Sequence, residues 1–489
     1  MDNDLGGSDR VSWAMVLIAC ILQTVLATTL ALTRLPLCDE GFYGVPAYTL
    51  SVTGALRNPV MESAGVSYLR GIDRNFYLMA PMGMVLQAGA FKAFGFKLLV
   101  QRELSVVCGL GAVLLWYLVL RRLVANRIAA LAAILLSLDL PFLSLSSLGR
   151  SDMISLFFSM AALAGYMHWR ERSLALALAV ANTACALSGM VHPNGGIVAV
   201  ASLAVLVLYL DRTRLRWNHL VVIAACYGVL GLGWGLYIAQ APDLFVAQFF
   251  GNVANRLGGP MALTRMVKGE VSRYFPGYEI RSLLRVSYLC SVVFCAFSKE
   301  LRRRSAILLM MFAAIALTLF FLEGSKQGWY LVHLSPLFCA FLALSSSYLW
   351  KSGRIMMRII PTVQVVIVLL GVASIVYPAS KRNLQRLYMP TVAYLDAHTE
   401  PGDVVFARSE FYFGLSCRTC LRDDENLGAF SGLRAKYIVL DPDYAAHLAE
   451  LREKNPVVYR EIEQRLKTEY QEVFRNANYQ VLRRSTAGL

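Results

Sequence analysis

The chain has 489 residues, of which 57% are hydrophobic and only 16% charged, and its mean hydropathy is +0.52. Soluble domains carry about 25% charged residues, so this composition excludes an ordinary soluble fold and points to a membrane protein. The net charge of +15 does not mark a nucleic-acid binder. Its basic residues fall in short clusters between apolar runs, and no phosphate-binding glycine loop, zinc-finger spacing or aromatic RNA platform accompanies them.

In chain order, the first apolar run, residues 11–32, lacks a basic n-region and a small-residue cleavage site, and reads as a retained transmembrane helix. Asp39 and Glu40 follow almost at once. Asp39 reads as the N-cap of a short helix running to Gly54. Compatibly with that, it reads as a general base at the end of a hydrophobic wall, with Glu40 orienting it or binding substrate. Residues 76–95 are apolar but interrupted by Pro81 and Gly83. Counting them as a span would throw the basic loops onto both sides of the membrane, so we expect a juxtamembrane or re-entrant helix there.

Basic clusters recur at 121–127, 170–172, 212–216, 299–304 and 351–358, at every second short loop. Placing them in the cytoplasm yields about eleven spans of roughly 20 residues each, with the N-terminus inside and everything after residue 377 outside. Twelve or thirteen result if further short apolar runs are counted. The outer turns then hold the candidate chemistry. Arg150 and Asp152 form one turn, where Arg150 suits a phosphate and Asp152 orients it, holds a metal or caps a helix. His192 opens a Pro/Gly turn and suits a phosphate or a substrate hydroxyl. Lys326 and Gln327 precede Tyr330 and His333. Lys326 is either a phosphate ligand facing the outer leaflet or the ion-pair partner of Glu323.

Two outer loops are long, residues 34–100 and 240–281; Arg70 and Arg74 in the first and Arg256 in the second are further phosphate candidates. We therefore divide the chain into a membrane domain, 1–379, and a small α/β domain, 380–489. In the latter, 403–407 and 436–440 read as buried strands and 444–468 as an amphipathic helix. Cys417 and Cys420 read as a local disulfide, with a pair of free thiols the alternative, since no second pair or histidine completes a zinc site.

One chemistry uses these parts: a sugar on a polyprenyl phosphate, its phosphate held by Arg or Lys, is displaced by an acceptor hydroxyl that a carboxylate deprotonates. The alternative is a polytopic lipid or glycan transporter, which predicts charges mid-span and broken helices in matching halves.

The order of these motifs resembles the GT-C superfamily of integral-membrane glycosyltransferases, in particular the branch with protein O-mannosyltransferases and the lipid A aminoarabinose transferase. The resemblance rests on Asp39-Glu40, Phe94-Gly95, Arg102, Arg121-Arg122-Leu123, Arg150-x-Asp152, His192-Pro-x-Gly195, and Lys326 to Tyr330 with Leu334-Ser-Pro336. The sequence departs from the family at residues 75–81, with one proline and no Trp. It implies an all-α membrane fold with juxtamembrane helices in the first outer loop and a bacterial inner-membrane location. It also implies a polyprenyl-phosphate sugar donor, a lipid, glycan or protein acceptor, and Asp39 as the base. A divalent metal, Mg or Mn, would fall to Asp39 and Asp152 if to any residues.

Overall fold

In a computed structural model, which describes residues 5–257, 263–277, 280–352 and 355–485, helices run nearly throughout and a small sheet closes the chain. In order they are α1 (Leu5–Thr33), α2 (Cys38–Thr53), α3 (Met82–Phe94), α4 (Leu98–Leu120), α5 (Asn126–Ser137), α6 (Leu140–Ser146), α7 (Ser151–Trp169), α8 (Leu174–Val191), α9 (Pro193–Leu210) and α10 (Trp217–Ile238). Then come α11 (Pro242–Phe245), α12 (Gly251–Leu257), α13 (Leu263–Tyr274), α14 (Ile280–Phe297), α15 (Lys299–Leu322), α16 (Ser335–Lys351), α17 (Ile355–Ser380) and α18 (Met389–His398). Among the described residues, eight helices are long and apolar enough to cross a membrane, or nine if the bent pair α5 and α6 is one span. The pair bends by 60°, where Asp139 caps α6 through the Phe142 amide and Pro141 follows.

Residues 76–95 do not span. Their helix α3 has 13 residues and stops at Gly95, whose φ of 85° ends it. At 1.5 Å per residue it reaches about 20 Å, short of the roughly 30 Å hydrocarbon core.

The bundle has two chemically distinct ends. At one, Asp9 meets Arg121 at 3.5 Å and Asn126 at 3.2 Å, and Asp211 binds Arg170, Arg214 and Tyr166. Arg122 lines one groove there with His168 and a second with Arg304 and Lys351, which gathers the basic turns together. At the other end lie the turns after α1, α6, α8 and α15, described below.

The C-terminal sheet has the order β2-β1-β3-β5-β4, with β1 (Val405–Phe406), β2 (Leu421–Arg422), β3 (Tyr437–Leu440), β4 (Tyr470–Arg475) and β5 (Gln480–Arg484). β1 is parallel to β2 and β3; β5 is antiparallel to β3 and β4. Both expected strands form, but the single helix expected over 444–468 is two: α19 (Pro442–Lys454) and α20 (Pro456–Glu469). Pro456 supplies no amide and disfavours helical geometry at Asn455, whose side chain instead caps α20 through the Val458 amide at 3.3 Å.

Candidate active site

Asp39 and Glu40 lie in the first turn of α2, but Asp39 is not its cap: Leu37 holds that position, and Glu40 reaches back to the Leu37 amide at 3.0 Å. The two carboxylates then diverge. Glu40 is wholly buried, as is Arg102 of α4, and they meet through Arg102 Nε at 2.8 Å and Nη2 at 2.7 Å. The Gly149 amide donates to Glu40 at 2.8 Å, and Arg102 spends its remaining donors on the carbonyls of Ala31, Arg34 and Leu35. Burial pushes the Glu40 carboxyl up, but Arg102 and these amides more than offset it and hold it below the usual carboxylate range. Gln101 adds bonds from its amide nitrogen to the carbonyls of Glu40 at 3.1 Å and Gly149 at 2.8 Å. The end of α1, the start of α2, the start of α4 and the turn before α7 are thereby tied into one knot.

Asp39 faces the other way, with its side chain 41% exposed, and pairs with Arg150. Arg150, not Asp152, is the N-cap residue of α7. Its Nε donates to Asp152 at 2.8 Å, so one guanidinium bridges two carboxylates. The Arg150 guanidinium also lies 5.3 Å from the ring centre of Trp329.

Behind this row sit His192, Tyr330 and His333. The rings of His192 and Tyr330 are 5.3 Å apart. Asp152 Oδ1, His192 Nδ1 and both ring nitrogens of His333 are buried with no hydrogen-bond partner among the described residues, and the charge of Asp152 acts on both histidines. Burial holds each imidazole down at about 4, so both are neutral at pH 7. The glycine of the His-Pro-x-Gly turn has a steric reason: a β-carbon on Gly195 would lie 1.9 Å from Ser155 Oγ and 3.1 Å from His333.

Trp329 leads from this row into a cavity of about 310 Å³ between α6, α13, α14 and the segment after α15. Arg273, Arg281, Arg285 and Lys326 line it, with an apolar floor that includes Leu284 and Phe338. Lys326 is not the partner of Glu323. Its φ of 51° turns the chain back, so the ammonium meets the carbonyls of Leu319 and Phe320 at the end of α15 and lies 3.4 Å from Glu270. Burial lowers its pKa. Glu323 pairs with Arg273 instead.

The remaining candidates lie elsewhere. Arg70 is exposed and pairs with Asp243 at 3.3 Å; Arg74 and Gln327 are exposed. Arg256 is exposed too, but its charge acts on Tyr43, His192 and Tyr330. Cys417 and Cys420 are disulfide-bonded. Gln101, Arg102, Arg273, Arg281 and Arg285 belong to this region without standing among the candidates read from the sequence. The available signal was a polar triplet, Gln101-Arg102-Glu103, near the start of a largely apolar helix.

The C-terminal segment around Ser409 packs against α2. A β-carbon on Gly41 would lie 2.1 Å from the Ser409 carbonyl carbon and 2.2 Å from the Glu410 amide. Both are backbone atoms that no rotamer change can clear. Gly41→Ala is therefore expected to force α2 away from the Ser409–Glu410 backbone and cost about 1–3 kcal/mol, read as a lower thermal midpoint.

This bundle, with its outer-loop helices and carboxylate-bearing turn after the first helix, has the fold of the GT-C class of membrane glycosyltransferases. Residues 79–234 match the family model described as dolichyl-phosphate-mannose-protein mannosyltransferase. The chain superimposes on ArnT from Cupriavidus metallidurans bound to undecaprenyl phosphate with a TM-score of 0.60 at 14% identity, covering 97% of this chain and 98% of that one. The Archaeoglobus fulgidus oligosaccharyltransferase in complex with Zn and sulfate gives 0.53 at 13% identity, over 91% and 70%. AglB from the same organism, in complex with an inhibitory peptide and a dolichol-phosphate, gives 0.51 at 13% identity, over 98% and 74%. No curated protein sequence matches the chain. At these identities the structural likeness is one of fold.

Proposed function

We propose that this protein transfers a sugar from a polyprenyl-phosphate donor to an acceptor hydroxyl at the membrane's outer face, with Asp39 as general base. The observation that carries the reading is the half-exposed carboxylate of Asp39 joined through Arg150 and Trp329 to a cavity lined by four cations. A sugar phosphate ester leaves readily only when its developing charge is held, and Arg273, Arg281, Arg285 and Lys326 supply positive charge where the lipid phosphate would sit. The acceptor O–H gives its proton to Asp39 as its oxygen bonds to C1. The C1–O bond to phosphate breaks, and polyprenyl phosphate leaves with the electron pair. Direct displacement inverts C1. Arg150 stays paired with Asp152 while Asp39 turns to the acceptor. Glu40, with both oxygens bound by Arg102 and backbone amides, positions the turn and takes no part in proton transfer. The lipid phosphates named with ArnT and AglB support the donor class.

A divalent metal does not fit the two carboxylates proposed for it. Arg150 already lies between Asp39 and Asp152, and among the described residues no group of three His, Cys, Asp or Glu converges on one point. Adding EDTA is therefore expected to leave the transfer rate unchanged.

For topology we count eleven crossings, with α7 and α16 included and the basic end in the cytoplasm of a bacterial inner membrane. The test places the purified protein in liposomes with polyprenyl phosphates carrying radiolabelled sugars and an extract of envelope lipids, glycans and proteins. Label should appear in a new covalent product. Label crossing the bilayer while still on its carrier lipid would favour a transporter instead.

A further inference from the structure

The Cys417–Cys420 disulfide closes a tight loop around Arg418, and that loop grips the helix that carries Asp39. Arg418 Nη1 donates to the Tyr48 hydroxyl at 3.0 Å. Its guanidinium lies 5.0 Å from the ring centres of Tyr48 and Phe96 and 5.8 Å from that of Tyr412. Tyr48 belongs to α2, Phe96 joins α3 to α4, and Tyr412 belongs to the turn Ser409–Phe413 of the C-terminal domain. The rings pack on one another as well, Tyr48 to Phe96 at 4.3 Å and Phe96 to Phe413 at 4.7 Å. One cation thus fills an aromatic box whose walls come from both domains, the arrangement in which a guanidinium is worth most.

The same turn meets α2 a second time. Gly41 lies on the backbone of Ser409 and Glu410, and a β-carbon on Gly44 would lie 2.4 Å from Phe413. The first turn of α2 is anchored in the membrane bundle through Glu40 and Arg102. The rest of the helix has the C-terminal domain along one side.

We propose that the Cys417–Cys420 loop is a latch by which the C-terminal domain fixes α2, with Arg418 the positioning residue for Asp39. Its kinetic consequence rests on Asp39 being the base, but its structural consequence does not. With the latch open, α2 keeps its anchor at Glu40 and loses its hold at Tyr48. The Asp39 carboxylate then samples positions off the line to the acceptor, and displacements of about 1 Å can cost up to 100-fold in rate.

The test uses the full chain in nanodiscs, comparing wild type with Arg418→Ala, Arg418→Lys and the Cys417→Ser/Cys420→Ser pair. Hydrogen exchange over residues 38–53 is expected to rise about tenfold in Arg418→Ala and in the double serine variant, while the exchange of α4 stays as in wild type. In the transfer assay, kcat should fall about tenfold with donor KM unchanged, and Arg418→Lys should recover part of it by keeping the charge in the box. A role confined to the stability of the C-terminal domain would lower the yield of folded protein and leave both readings unchanged per folded molecule. Unchanged exchange in α2 overturns the proposal, whatever the assay shows. If the exchange rises but no sugar is transferred by any variant, the reading of Asp39 as a transferase base fails and the latch stands. Should Arg418→Ala not fold, Arg418→Gln, which keeps a hydrogen bond without charge, takes its place with the same expectations.

Discussion

Asp39→Asn is expected to lower kcat by about a thousandfold, leave donor KM unchanged, and leave the protein folded. The size follows from losing the proton acceptor: general base catalysis supplies roughly 10²–10⁴ in rate, and an amide takes no proton in this range of pH. Folding is spared because the Asp39 side chain is half-exposed and the buried Arg150 guanidinium keeps Asp152 as its counter-charge, so no buried charge is left unpaired. The amide oxygen can still accept from Arg150, and Arg150 keeps Asp152 at 2.8 Å. Asp39→Ala would also remove that contact and mix two effects; the asparagine variant isolates the proton transfer.

The neighbouring residue should behave in the opposite way. Glu40→Gln is expected to destabilise the protein by about 3–5 kcal/mol, because it strands a wholly buried Arg102 without a counter-charge. Replacing both partners with apolar residues, Glu40→Leu with Arg102→Met, should cost less than either single change, since no buried charge is then left unpaired. A pH scan gives a second reading. The folded-state pKa of Glu40 is depressed, so its contribution is fully present above the ordinary carboxylate value of about 4.3. It is lost as pH falls below that, through the folded value. The thermal midpoint of wild type should therefore decline as the solution is acidified below that value, and that part of the decline should be missing in the apolar double variant. Two adjacent carboxylates thus divide between chemistry and structure by the direction each faces.

How far the sequence made this legible depended on the range of the interaction. The basic turns and the charge-poor turns separated cleanly in sequence, and in the fold they lie at opposite ends of the bundle. Arg150, Asp152, His192, Tyr330 and His333 were readable as turn residues, since a polar side chain in a turn between apolar spans is costly without a use. Their mutual geometry was not readable: Asp39 and Arg150 meet across more than a hundred residues of chain, and no periodicity encodes which turn faces which. The same limit hid the Glu40–Arg102 pair, the swap by which Glu323 takes Arg273 and Lys326 takes the end of α15, and the seat of Gly41 on Ser409. Asp39 as a helix cap was a local error, because the cap falls two residues earlier and Glu40 makes the return bond. The break at Asn455-Pro456 was available in the sequence and was overridden by the amphipathic pattern on either side of it.

Whether the bond between C1 of the sugar and the lipid phosphate breaks in this protein is decided by a doubly labelled donor. Purified protein is given a polyprenyl phosphate sugar carrying one isotope in the sugar and another in the phosphate, together with the acceptor extract. The sugar label is expected to move to the acceptor while the phosphate label stays with the polyprenyl chain as a monophosphate. Both labels moving together, or both remaining on an intact donor, would contradict it.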